Sequence, residues 1–222
     1  RWRYNLPRRQ HPQPNKTYIT KYQSAVGSVA KQFTLINGEV KIDAHAQIFR
    51  GNAVTIQING PEELQQTLDG LAPNEAVGLG VLTTVDQSVP LVTKKYLQPG
   101  TIARSGEFLS HNEGHGWGLV DADTKDLPAS VLSNLTCTDI IGDILRIIPE
   151  LNDVSHLIRP SSSAGITEPN GNTRPATGYH LFFHMKYSPH LTNLLQIMHD
   201  RCWLAGLGFF KLSKSFCETP SF

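Results

Sequence analysis

Two acids separated by a single residue, Asp121 and Asp123, close an apolar stretch of Gly118, Leu119 and Val120, and a histidine, His180, opens another such stretch further along the chain. Residues two apart on an extended chain share a face, so a strand through the first stretch presents both carboxylates together. Paired carboxylates are hard oxygen ligands, and with no cysteine or helical histidine cluster nearby they suit Mg²⁺ or Mn²⁺ rather than zinc. With phosphoryl-transfer substrates, such ions activate an attacking hydroxyl and stabilise the departing pyrophosphate. A histidine beside them can donate a hydrogen bond to a triphosphate. Taken alone, the Asp-x-Asp spacing has a commoner meaning, a turn at a strand end that caps the next segment.

Other residues carry weaker chemistry. Arg159 ends an apolar run beside Ser161, Ser162 and Ser163, where a guanidinium can reach a phosphate and the serine run followed by Gly165 can form a backbone cradle. A surface arginine and a plain loop are the competing meanings. His111, Glu113 and His115 could bind a metal or simply line a wet loop. Lys211 and Lys214 could line a nucleic-acid groove or solubilise a sheet edge. Phe182 and Phe183 point to opposite faces of one strand, so at least one belongs to the core.

The elements that must position these groups follow from hydrophobic period and punctuation. Residues 1–20, with Pro7, Pro12, Pro14 and several basic side chains, read as an arm. Residues 26–58 suggest strands, clearest over 53–58, and 61–71 has the proline, first-turn acids and leucine spacing of a short helix. Residues 75–81 fit a buried strand, and 86–116 a long surface excursion. The second half reads as a strand over 116–121, a helix over 138–148, a strand over 154–159, a loop over 160–178, a strand over 179–185, a helix over 190–205 and a last strand over 209–213. That order, β-α-β-β-α-β, is the ferredoxin-like arrangement also used by RNA-recognition (RRM) domains. In it the first and third strands lie antiparallel side by side, which brings Asp121 and Asp123 to His180.

Composition bounds the reading. The 222 residues are 39% hydrophobic and 18% charged with a formal net charge of +1, which is ordinary for a globular protein and argues against a simple basic coat for nucleic acid. No apolar run approaches the roughly 20 residues needed to cross a bilayer, and Arg1 to Tyr4 shows no secretory pattern, so no membrane partner and a cytoplasmic location are expected. Three cysteines without C-x-x-C spacing suggest neither a disulfide framework nor a zinc module.

At these residues the sequence resembles the prim-pol group of the archaeo-eukaryotic primase superfamily, found on plasmids, phages and integrated mobile elements. An apolar strand ending in Asp-x-Asp, here Gly118 to Asp123, is similar to the family's first motif. A small residue, any residue and His at a strand start, here Gly178, Tyr179 and His180, is similar to its second. The lead-in Arg104 to Leu109, the run Arg159 to Gly165, Trp203 to Gly208 and Lys211 to Ser215 follow in the family's order, so the resemblance spans most of residues 20–215. It implies an α/β (α+β) fold, with an N-terminal α/β lobe over about 21–110 packed on an RRM-like catalytic lobe over about 111–222. It implies a metal-dependent primase-polymerase that uses nucleoside triphosphates on a single-stranded DNA template. Asp121 and Asp123 would hold Mg²⁺ or Mn²⁺, and His180, Arg159 and Ser163 would contact the nucleotide. A fused or separate helicase is a further expected partner. The family's third acid has no counterpart after the Lys211–Ser215 segment, Asp200 being inside a helix, and is expected beyond Phe222. The alternatives are a non-catalytic RRM-like nucleic-acid-binding module and a replication initiator whose core has lost chemistry.

Overall fold

The β-branched and aromatic run Thr17, Tyr18, Ile19 and Thr20 opens a strand, β1 (Thr17–Ser24), that begins inside the stretch expected to be an arm and runs past its end. The computed structural model describes residues 16–44, 47–83, 88–125, 127–169 and 171–210. β1 is a central strand, flanked by β4 (Arg50–Ile58) and β5 (Glu75–Gly78), both antiparallel to it. Between β1 and β4 the chain forms a separate hairpin, β2 (Lys31–Ile36) and β3 (Glu39–Ala44). Its two connecting residues, Asn37 and Gly38, have φ of 53° and 81°. Two consecutive positive φ values make the turn whose twist matches a hairpin, and Asn-Gly is the pair that best tolerates it.

The helix expected over 61–71 is α1 (Pro61–Asp69), with proline in its first turn and Leu64 buried. Residues expected as one strand over 75–81 divide at Leu79 and Gly80 into β5 and the short β6 (Val81–Leu82). The largest departure is the expected surface excursion. It contributes β7 (Val89–Val92), which pairs with β4, and β8 (Leu109–Ser110), which pairs with β6. It also buries Ile102, Ala103 and Phe108 against Tyr22, Ala53 and Leu91. A few isolated apolar residues reach the core here although the stretch is polar on average. The N-terminal half is therefore an antiparallel sheet, β5-β1-β4-β7, with one α-helix among the described residues.

The second half follows the expected order through its fifth element. β9 (Gly116–Asp123) runs through both acids rather than ending at the first. A short helix, α2 (Ala129–Leu132), precedes α3 (Ile140–Ile147), whose cap is Asp139, accepting from the Gly142 N–H at 2.8 Å. β10 (His156–Pro160), β11 (Gly178–Met185) and α4 (Leu191–Leu204) follow. β10 tolerates Pro160 because it is an edge strand. The sheet order is β10-β11-β9, all antiparallel. Of the last expected strand, Phe209 and Phe210 are irregular, and the remainder, with Lys211 and Lys214, lies outside the described residues.

The whole is an α+β architecture of antiparallel sheets with few helices. One face of the second sheet, carrying Ala122, Leu181 and Phe183, buries against α3 and α4. Its other face, through Trp117 and Phe182, packs on Ile19 and Ile58 of the first sheet and Leu64 of α1. Each fully buried aliphatic side chain in this seam contributes about 1.5–3 kcal/mol. Gly118 is required on the helix-facing side, because it lies opposite Phe183 in register and a Cβ there would overlap the ring. Gly118→Ala is expected to lower the unfolding free energy by about 1–3 kcal/mol, the range for an overpacked core, as read from the urea midpoint.

Candidate functional site

Three residues lie in one transverse row on the seam-side face of the second sheet. Asp121 pairs in register with His180, and His180 with Arg159. Facing side chains in such a row stand about 5 Å apart, and His180 Nε2 lies 3.5 Å from Asp121 Oδ1. The side chains of Asp121 and His180 are 71% and 40% exposed, so the row emerges from the seam into solvent where a substrate can reach it. The next row holds Asp123 opposite Gly178. A Cβ on Gly178 would stand 3.4 Å from both Asp123 Cγ and Ser161 Cβ, so this glycine keeps open the space between an acid and a serine.

Asp123 has a second role. Its Oδ1 accepts the Lys125 N–H at 2.8 Å, so the turn-capping meaning of Asp-x-Asp holds for this residue. Asp121 accepts no backbone hydrogen bond among the described residues. Ser163 reaches the site through Ser161, the two hydroxyl oxygens being 3.1 Å apart. The backbone cradle expected over 161–165 is largely spent on its own turn. The amides of Ser161, Ala164 and Gly165 donate to the carbonyls of Gly178, Ser161 and Arg174.

One residue that sequence reasoning passed over belongs here. It is Asp69, whose Oδ1 meets Arg159 Nη1 at 2.7 Å and holds that guanidinium beside the row. Asp69 is the last residue of α1, which has no basic side chain in its final turn. An acid at the negative end of a helix dipole is unfavourable unless something else uses it, and that mismatch is the signal available in the sequence.

The same strand carries a second histidine to the other end of the seam. His184 Nε2 lies 3.2 Å from His115 Nδ1, beside a cavity of about 320 Å³ whose wall includes Ile58, Gly60, Glu62 and Trp117. Burial, then the charges of His115 and Lys186, hold the His184 imidazole below its ordinary value of 6.5. A histidine with a depressed folded-state value stays neutral where the unfolded chain is already protonated. Its contribution to stability is therefore complete above about pH 6.5 and is lost as pH falls through the folded value. The thermal midpoint is expected to drop on acidification below that pH, and His184→Gln to flatten the drop.

His111 and Glu113 are exposed in the loop before β9, and their neighbour His115 turns inward to His184, so the three side chains do not gather around one point. Among the described residues no three His, Cys, Asp or Glu side chains converge closely enough to hold an ion by themselves. Asp200 is exposed on the outer side of α4, contacting His199 and Gln196. No helix of the described residues is long and apolar enough to cross a membrane. Compared with known proteins, the chain matches no family model, no curated sequence and no solved structure.

Proposed function

We propose that this chain is the catalytic core of a primase-polymerase, transferring nucleotides from nucleoside triphosphates on a single-stranded DNA template. The observation that carries the reading is the row Asp121–His180–Arg159 with Asp123 in the row beside it, exposed at the open end of a sheet. Strand order β10-β11-β9 and the β-α-β-β-α succession support an RRM-like catalytic lobe, with the first sheet as the second lobe. Asp121 and Asp123 fit Mg²⁺ or Mn²⁺, because such ions are held by one or two carboxylates while substrate phosphates and water supply the remaining ligands. When bound, the metal supplies charge for the attacking and departing oxygens.

The chain's own residues then have separate tasks. His180, next to Asp121, donates a hydrogen bond to the triphosphate. Arg159 offers a guanidinium to the same phosphates, its direction set by Asp69. The hydroxyls of Ser161 and Ser163 line the far side of the opening left by Gly178.

A binding module of RRM type reads nucleic acid by stacking bases on aromatics of its central strands. The corresponding aromatic here, Phe182, is 6% exposed and covered by Ile19, Ile58 and Leu64, so that mode has no platform to use. The paired acids would also repel a phosphate backbone in the absence of metal. The deciding experiment is extension of a labelled primer on single-stranded DNA with Mg²⁺ or Mn²⁺ and nucleotides. Extension that disappears in the Asp121→Ala/Asp123→Ala protein supports the enzyme, and template binding without extension in the native chain sinks it.

A further inference from the structure

The β2–β3 hairpin is amphipathic, and its apolar face is largely exposed. Register places Phe33 opposite Ile42 and Leu35 opposite Val40, all four on one face. Phe33, Leu35 and Ile42 are exposed. Of the thirteen large hydrophobic residues exposed in the described chain, three, Phe33, Leu35 and Ile42, share this one face. A lone two-stranded hairpin is only marginally stable in water and gains from a further strand or a packing partner.

The two edges differ in a way that identifies the partner. Hairpin alternation from the two-residue turn directs the backbone of Gln32, Thr34 and Ile36 toward β3, leaving the N–H and C=O groups of Phe33 and Leu35 pointing outward. On β3 every second side chain is charged: Glu39, Lys41 and Asp43. Charges on an edge strand discourage strand addition. β2 has one charge, Lys31, at its start, and Gln32, Thr34 and Ile36 are uncharged. The hairpin's two lysines balance Glu39 and Asp43, so it holds no net charge to draw an anionic polymer and none to repel a copy of itself.

We propose that β2 is a self-association edge, through which a second copy of this chain adds antiparallel across a two-fold axis. The product is a four-stranded sheet with one continuous apolar face. Thr34 lies at the axis, with the uncharged Gln32 and Ile36 on either side of it along β2, and the charged β3 strands form the two outer edges, which stops assembly at two.

Sedimentation velocity of the full chain over a wide concentration range tests this. A monomer–dimer equilibrium is expected, weakened at least about tenfold by Thr34→Glu, which gains Lys41 as an intramolecular neighbour but sets two carboxylates against each other at the axis. Leu35→Lys is expected to weaken it similarly, and Glu39→Lys at the outer edge to leave it unchanged. In the native chain, hydrogen exchange at the Phe33 and Leu35 amides is expected to slow as concentration rises, a readout that needs no variant to fold. A monomer at all concentrations overturns the proposal, as does a dimer indifferent to Thr34→Glu and Leu35→Lys. A monomer whose affinity for single-stranded DNA falls with Leu35→Lys overturns it too, and makes nucleic acid the occupant of this face.

Discussion

Under the proposed activity, converting Asp121 to asparagine is expected to slow nucleotide incorporation by roughly a thousandfold, about 4 kcal/mol of barrier, with the fold intact. Asp121 is the cleaner of the two acids to change. Its side chain is mostly in solvent and its close contact is His180, so removing the charge disturbs little else. Asp123 also holds the turn at Lys125, and a change there mixes loss of chemistry with loss of local structure. The double alanine variant should be inactive in extension while still binding template. The comparison needs kcat and KM separately, since loss of a group acting only in the transition state lowers kcat and kcat/KM together. An Asp121→Asn protein that extends primers at the native rate would remove Asp121 from the mechanism.

The largest effect on stability is expected at Asp143, far from that row. Its carboxylate is completely buried on α3. It accepts the N–H groups of Thr136 and Cys137, the Thr136 hydroxyl and the Arg146 guanidinium. Burial pulls the carboxyl upward, but the Cys137 N–H, the Thr136 hydroxyl, Arg146 and the Thr136 N–H outweigh it and hold the value below the ordinary 3.8. Asp143→Ala unties the segment between α2 and α3 and leaves these donors without their acceptor. Breaking a buried charge pair costs about 3–5 kcal/mol, and Arg146, being half exposed, regains water, so about 3 kcal/mol is expected from urea unfolding. Because the folded value is depressed, the carboxylate's contribution is present above about pH 3.8 and disappears as pH falls through the folded value. The native chain should lose that advantage over Asp143→Asn in strong acid.

The second half of the chain was the more legible in the sequence, for a physical reason. β9 and β11 are buried on both faces along part of their length, and α3 and α4 follow helical spacing, so local pattern and tertiary environment agree. Strand adjacency then placed Asp121 across from His180 without any side-chain information. The first half was obscured where those levels disagree. The stretch from Val89 to Phe108 is polar on average, yet its few apolar residues complete the core around Tyr22. The start of β1 was hidden by the prolines and basic residues before it. The site's outer parts were the least legible, because they depend on contacts between distant elements. Asp69 meets Arg159 only when α1 crosses β10, and His115 meets His184 only when the β8–β9 loop folds back on β11.

The seam between the two sheets also bears on how the chain is made. Every strand pairing of the first sheet, and of β6 with β8, lies within residues 17–110, so all of them can form while the rest is still on the ribosome. The face carrying Ile19, Ile58 and Leu64 receives Trp117 soon afterwards but Phe182 only much later in synthesis. During that interval the nascent chain displays a nearly finished sheet with one greasy side open, a surface suited to a chaperone.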